Sequence, residues 1–203
     1  MYRSWLNKIV LSGLLVLTLF APGHTGDVQL SLFAGDNFIN AGIGGRTPLS
    51  LADIIYGGGF SYRKDGELKY TLGEAYWGVG NNFTPGWQFD TGLKGIYGQS
   101  EEAPINEATV GGLGVFLNSN FSFVGWLAPL PISVRASGAY IPEVLAFADL
   151  TEMWVLKGGI GLHIFDVTIL EAGYRYTRMD MVEAPEEWTV EDDAVYVGLG
   201  LQF

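Results

Sequence analysis

Apolar and polar residues alternate along most of this chain with a period of two, as in a β-strand whose successive side chains point to opposite faces. The last nine residues show it plainly. Val195, Val197, Leu199, Leu201 and Phe203 share one face; Tyr196, Gly198, Gly200 and Gln202 share the other. Earlier segments repeat the pattern. Ile54, Tyr56, Phe60 and Tyr62 alternate with Asp53, Gly57, Gly59, Ser61 and Arg63, and Trp87, Phe89, Leu93 and Tyr97 with Gln88, Asp90, Gly92 and Lys94. Ile132, Val134, Ala136 and Tyr140 alternate with Ser133, Arg135 and Ser137; Leu170, Ala172, Tyr174 and Tyr176 alternate with Glu171, Gly173, Arg175 and Thr177. Each segment predicts a strand with one apolar face and one small or polar face.

Between these strands the chain writes Gly, an apolar residue and Gly five times: at Gly42–Gly44, Gly78–Gly80, Gly112–Gly114, Gly159–Gly161 and Gly198–Gly200. The spacings of 36, 34, 47 and 39 residues suit two membrane strands of about 9–11 residues with their connections. Each triplet is expected to mark the returning strand of a hairpin. A propeller blade has a similar period, but no Gly-His or Trp-Asp signature accompanies these triplets. From Ala52 onward eight strands are expected. Asp27 to Gly45 supplies two more if it turns near Asp36-Asn37, and the triplet at Gly42 favours ten strands over eight.

The polar face decides which solvent the apolar face meets. On a soluble barrel it would carry Lys, Glu and Thr; here it carries Gly57, Gly59, Gly112, Gly114, Gly159, Gly161, Gly198 and Gly200. Glycine packs little and weakens a strand, unless a crowded interior demands it. The expectation is an all-β, antiparallel, transmembrane up-and-down barrel of about ten strands. Trp87, Tyr97, Trp154, Tyr174, Tyr176 and Phe203 are candidates for the aromatic girdles at its lipid–water boundaries. Segments 99–107, 142–152 and 180–193 are expected to be long, acidic outer loops. Phe83-Thr84-Pro85-Gly86 and Phe165-Asp166 should be tight inner turns, with a long inner connection at Asn120–Leu130 and a short outer one at Lys64-Asp65-Gly66.

Met1 to about Gly26 has the layout of a secretory signal peptide: Arg3 and Lys8, an apolar run from Ile9 to Phe20, then Ala21-Pro22-Gly23. Residues 27–203 would form the barrel. The apolar run falls short of the roughly 20 residues of a membrane helix. There is no cysteine for a lipid anchor or a disulfide. The mature chain keeps all 22 acidic residues and nine Lys and Arg, a net charge of −13, which argues against nucleic-acid binding. Location in the outer membrane of a Gram-negative bacterium follows, with outer-membrane lipid and lipopolysaccharide as surroundings. The C-terminal strand would engage the barrel-assembly machinery, and the chain is expected to be a monomer.

Several blocks resemble the YfaZ family of bacterial outer-membrane proteins: Gly92-Leu93-Lys94-Gly95-Ile96-Tyr97, Tyr140 to Phe147, Gly173-Tyr174-Arg175-Tyr176 and Asp193 to Leu199. They run in family order over most of the mature chain. The resemblance implies a barrel and no chemistry.

The expected interior faces carry Asp53, Glu74, Asp90 and Glu171 against Lys94, Arg135, Lys157 and Arg175. Because a lone buried charge costs several kcal/mol, these should form ion pairs. Residues such as Asp90 and Lys94 stand about 13 Å apart on one strand, so partners should come from neighbouring strands. Such a lumen reads as a structural filling, with a path for small solutes as the alternative. A surface enzyme acting on outer-leaflet lipid or peptide ranks third. It would need a base such as His163, which falls at an inner turn, or outer acids such as Glu186 with Asp192. No catalytic, cofactor or metal residue is assigned. The acidic segments read as solvated faces, or as weak sites for divalent cations shared with lipopolysaccharide phosphates.

Overall fold

The computed structural model describes residues 27–102, 106–123, 131–165, 167–183 and 186–203, so the signal-peptide reading of residues 1–26 lies outside it. The strands are β1 (Asp27–Gly35), β2 (Phe38–Thr47), β3 (Asp53–Asp65), β4 (Leu68–Thr84), β5 (Trp87–Glu102), β6 (Asn106–Ser122), β7 (Ile132–Ile141), the short β8 (Ala146–Ala148), β9 (Leu150–Phe165), β10 (Thr168–Glu183) and β11 (Glu186–Gln202). Ten long strands make a closed antiparallel barrel, as the alternation and the triplets predict. β11 closes it on β1, from Gln29 opposite Gln202 to Gly35 opposite Tyr196. Each of the five glycine triplets lies on a returning strand: β2, β4, β6, β9 and β11.

β7 and β8 together make one barrel strand, because both pair with β6. A single 3-10 turn at Glu143–Leu145 bulges between them and leaves Val144 86% exposed. A two-residue hairpin links β1 to β2 through Asp36-Asn37, where Asn37 takes the left-handed φ of 56° that its side chain tolerates.

Asp27 and Phe203 lie at one end of the barrel, here called the terminal end. The far end does not carry the long loops expected from the sequence. β5 and β6 run through Glu102 and from Asn106, and β10 and β11 pair as far as Glu183 opposite Glu186. Most of 99–107 and 180–193 is therefore strand. The 142–152 segment is the 3-10 turn, β8 and the start of β9. At the terminal end, β6 continues to Ser122, and most of the 120–130 connection lies outside the described residues.

The physical reason is a reversal of polarity along single strands. On β11 the outward face reads Val195, Val197, Leu199, Leu201 and Phe203 near the terminal end, then Asp193, Glu191, Thr189 and Glu187 towards the far end. The inward face reverses the other way, from Gly200, Gly198 and Tyr196 to Val190 and Trp188. β10 agrees, with Leu170, Ala172 and Tyr174 outward and then Arg178 and Asp180. The change falls beside the outward rings of Tyr97, Tyr174 and Trp154, the last stacked on Tyr140 at 4.0 Å. Val195 to Phe203, nine residues tilted by about 40°, stand roughly 23 Å tall, close to the ~25 Å apolar band of membrane barrels.

Beyond that ring the tube is built like a water-soluble barrel. Tyr70, Leu72, Ile96, Ala108, Val110, Ile141, Leu150, Met153, Val155, Met179, Met181 and Val190 pack into one buried cluster inside it. They come from seven strands, and Val110 and Met179 have no exposed surface. The sequence reading of a polar lumen therefore holds for the belt only; the far end is plugged by hydrocarbon.

Candidate functional site

Below the plug the interior is polar, and its charges are arranged in levels. Nearest the terminal end, Arg46 on β2 meets Asp53 on β3 at 2.6 Å and also holds Asp90 on β5. Further in, Arg135 on β7 binds Glu171 on β10 at 3.0 Å, and the Tyr196 hydroxyl donates to the other Glu171 oxygen at 2.8 Å. Lys94 pairs with Glu74 on the adjacent strand β4 at 2.6 Å. At the base of the plug, Arg63 on β3 meets Asp192 on β11 at 2.9 Å, and the Tyr70 hydroxyl donates to the same carboxylate at 2.7 Å.

All eight predicted residues line or approach this interior, but their pairing differs from the expectation in three ways. Arg46, not among them, takes both Asp53 and Asp90. Neither Lys157 nor Arg175 closes an ion pair within 4 Å among the described residues. Partners do not come only from adjacent strands: Arg46–Asp90, Arg63–Asp192 and Arg135–Glu171 each reach past at least one strand. In a narrow closed barrel the side of the lumen opposite lies within reach of Arg, which is why cross-bracing competes with neighbour pairing.

Arg175 stands in the middle of the barrel, its guanidinium carbon 4.7 Å from the centre of the Phe38 ring and 5.8 Å from that of Tyr70. Those ring faces supply part of the missing counter-charge. The glycines make room for the inward-pointing phenols. A Cβ at Gly159 would stand 3.0 Å from both the Tyr196 hydroxyl and Glu171 Oε1, and one at Gly57 would stand 2.6 Å from the Tyr76 ring. Gly159 and Gly57 thus make room for tyrosines that sequence reading had no means to place.

The enzyme candidates separate. His163 Nε2 lies 3.2 Å from Ser133 Oγ, a neighbour that is 30 positions away in sequence. Ser133 has no exposed surface, so no substrate carbonyl reaches its hydroxyl. Asp192, read as an exposed outer acid, is buried with Arg63 and Tyr70 and is not part of a surface acid pair. Among the described residues, no three His, Cys, Asp or Glu gather in a way that would hold a metal ion.

These features define a class: a closed ten-strand antiparallel barrel with an apolar outer belt, a charged interior and a buried apolar cluster towards the far end. Within that class the chain belongs to the YfaZ family, whose model, described as YfaZ precursor, matches residues 6–203. No curated protein matches the chain significantly. Among solved structures it is similar to the CymD monoaromatic hydrocarbon channel, with 14% identity, 98% of this chain and 63% of that chain covered, and a TM-score of 0.42. It is also similar to the copper transporter OprC, at 12% identity with 89% and 34% covered and a TM-score of 0.34. A third is the N-terminal β-barrel domain of Pseudomonas aeruginosa OprF, at 9% identity, 88% and 96% covered, TM-score 0.33. The chain spans about a third of the length of OprC. Identity this low and scores below 0.5 leave the activities of those proteins with those proteins.

Proposed function

We propose that this protein is a non-conducting outer-membrane barrel, its terminal end in the periplasm and its plugged end projecting from the cell surface. The belt of outward Leu, Val and aromatic residues supports the membrane location, since only a closed barrel satisfies its backbone in lipid without helices. The observation that carries the reading is the buried apolar cluster across the far end. An ion crossing it would lose its hydration with too few polar groups to replace it. The small-solute channel would require Met153, Met179 and Val190 to part.

The projecting tube, acidic on its outer face at Glu107, Glu152, Glu187 and Glu191, is the part that meets the cell surface. Divalent cations would link these carboxylates to lipopolysaccharide phosphates. The role this supports is structural or interaction-based. Folded protein inserted into planar lipid bilayers should give no channel events. Regular single-channel steps from the wild type would overturn the proposal.

A further inference from the structure

Ion pairing leaves one part of the interior unsatisfied: the wall of a cavity that opens at the terminal end. This cavity measures about 480 Å³ and reaches from Asp27 and Gln202 at its rim to Arg175 in the middle of the barrel. Arg46 is answered by Asp53 and Asp90, Lys94 by Glu74, and Arg135 by Glu171. Lys157 and Arg175 line the same wall without a partner of this kind among the described residues. Arg175 is 3% exposed, and its Nε and Nη1 are buried with no hydrogen-bond partner. The carboxylates whose charges reach Lys157 are Glu74 and Glu171, each already bonded to another cation.

A buried cation with no counter-charge is strongly unfavourable, and a buried guanidinium with unused N–H groups is more so. Phe38 offers Arg175 a ring face, which does not accept from the N–H edge. Buried Arg175 and half-buried Lys157 on one cavity wall are what an incoming oxyanion would complete. The planar fork of arginine fits carboxylate and phosphate, and lysine adds a point charge. Asn40, Ser137 and Tyr196 supply neutral polar groups around them, and Phe33 an apolar surface for the body of a small molecule.

We propose that the cavity binds a small organic oxyanion, a solute bearing a carboxylate or phosphate, which enters from the terminal end and is anchored by Lys157 and Arg175. A lipid headgroup carries the same phosphate chemistry. Each long strand is hydrogen-bonded on both sides, so the wall offers no lateral gap through which lipid tails would stay in the bilayer while the headgroup entered. The proposal uses the open terminal end and does not depend on whether the far end conducts. Failure in bilayers and failure in binding are therefore separate results.

The test uses the mature chain folded in an uncharged detergent, titrated with succinate, inorganic phosphate and, separately, dihexanoyl-phosphatidylglycerol, at constant ionic strength. Binding is followed by calorimetry and by thermal unfolding. Succinate or phosphate should bind saturably and raise the unfolding midpoint, and Arg175→Gln and Lys157→Gln should each weaken binding by about tenfold or more. Without ligand the two variants should unfold at the same or a higher temperature than the wild type, because each removes an unpaired charge from the interior. Four outcomes overturn the proposal: no saturable binding of either soluble anion up to about 10 mM, unchanged binding in both variants, binding of the phosphatidylglycerol alone, or variants that unfold lower in the absence of anion. The last would make Lys157 and Arg175 packing elements, with the ring contacts of Arg175 as their purpose.

Discussion

Arg63 shows how much one side chain organises here. It is nearly buried, pairs with Asp192 at 2.9 Å, holds Asp65 at 2.8 Å and donates to the Asp36 carbonyl in the turn of the first hairpin. Arg63→Ala would leave Asp192 buried with only the Tyr70 hydroxyl, and breaking a buried pair in this way costs about 3–5 kcal/mol. Urea unfolding of the folded barrel should show that loss, and Arg63→Met combined with Asp192→Leu should recover most of it, since an apolar pair needs no counter-charge. An undiminished midpoint in Arg63→Ala would mean that water reaches Asp192. At this scale the sequence was partly legible. The eight interior charges follow from strict alternation, and Arg46 sits on the same face as Gly42 and Gly44, so carrying the period two residues further would have found it. That Asp192 belongs inside follows equally from Ala194 and Tyr196 on its face. Which acid meets which base was not legible, because partners across a lumen have no fixed spacing in sequence.

At the scale of the strand, the reversal of polarity on β10 and β11 is the informative feature. Alternation persists from Glu187 to Phe203, while the apolar face changes side near Asp193 and Val195. A segment rich in acids invites a loop reading, yet Trp188, Val190 and Asp192 alternate with Glu187, Thr189 and Glu191 as regularly as the belt residues do. The composition of 180–193 suggested a loop; its period said strand. The boundary yields a paired prediction. Leu199→Arg, in the middle of the outward belt on β11, should lower the stability of the barrel in lipid by roughly 2–4 kcal/mol. Glu187→Arg, on the same outward face beyond the boundary, should change it by no more than about 0.5 kcal/mol. Equal effects from the two, measured by unfolding in liposomes, would remove the basis for placing the lipid–water boundary between them.

At the scale of the whole molecule, the barrel joins two constructions end to end. One turns apolar residues outward around a charged lumen; the other turns them inward around a hydrocarbon core. Met153 and Met179 face each other across β9 and β10 in that core, 2% and 0% exposed. Met179→Ala should therefore cost about 2–5 kcal/mol. It should also leave bilayer conductance at zero, because a small apolar cavity stays dry. Channel events in Met179→Ala would show that the seal is a single side chain thick.

The sequence by itself determined that the chain is an antiparallel barrel, which face of the belt strands is apolar, and a count of ten strands over eight. Each of these depends only on a local period of two and on a repeat of hairpin length. Closure of the ring decided the rest. It brought Arg46 to Asp90 and Arg63 to Asp192 across the lumen, set Tyr76 over Gly44 and Gly57 and Tyr196 over Gly159, and gathered residues of seven strands into the plug. It also left Lys157 and Arg175 facing a cavity with no ion-pair partner among the described residues. Those contacts join positions many tens of residues apart, and their geometry exists only once the first strand meets the last.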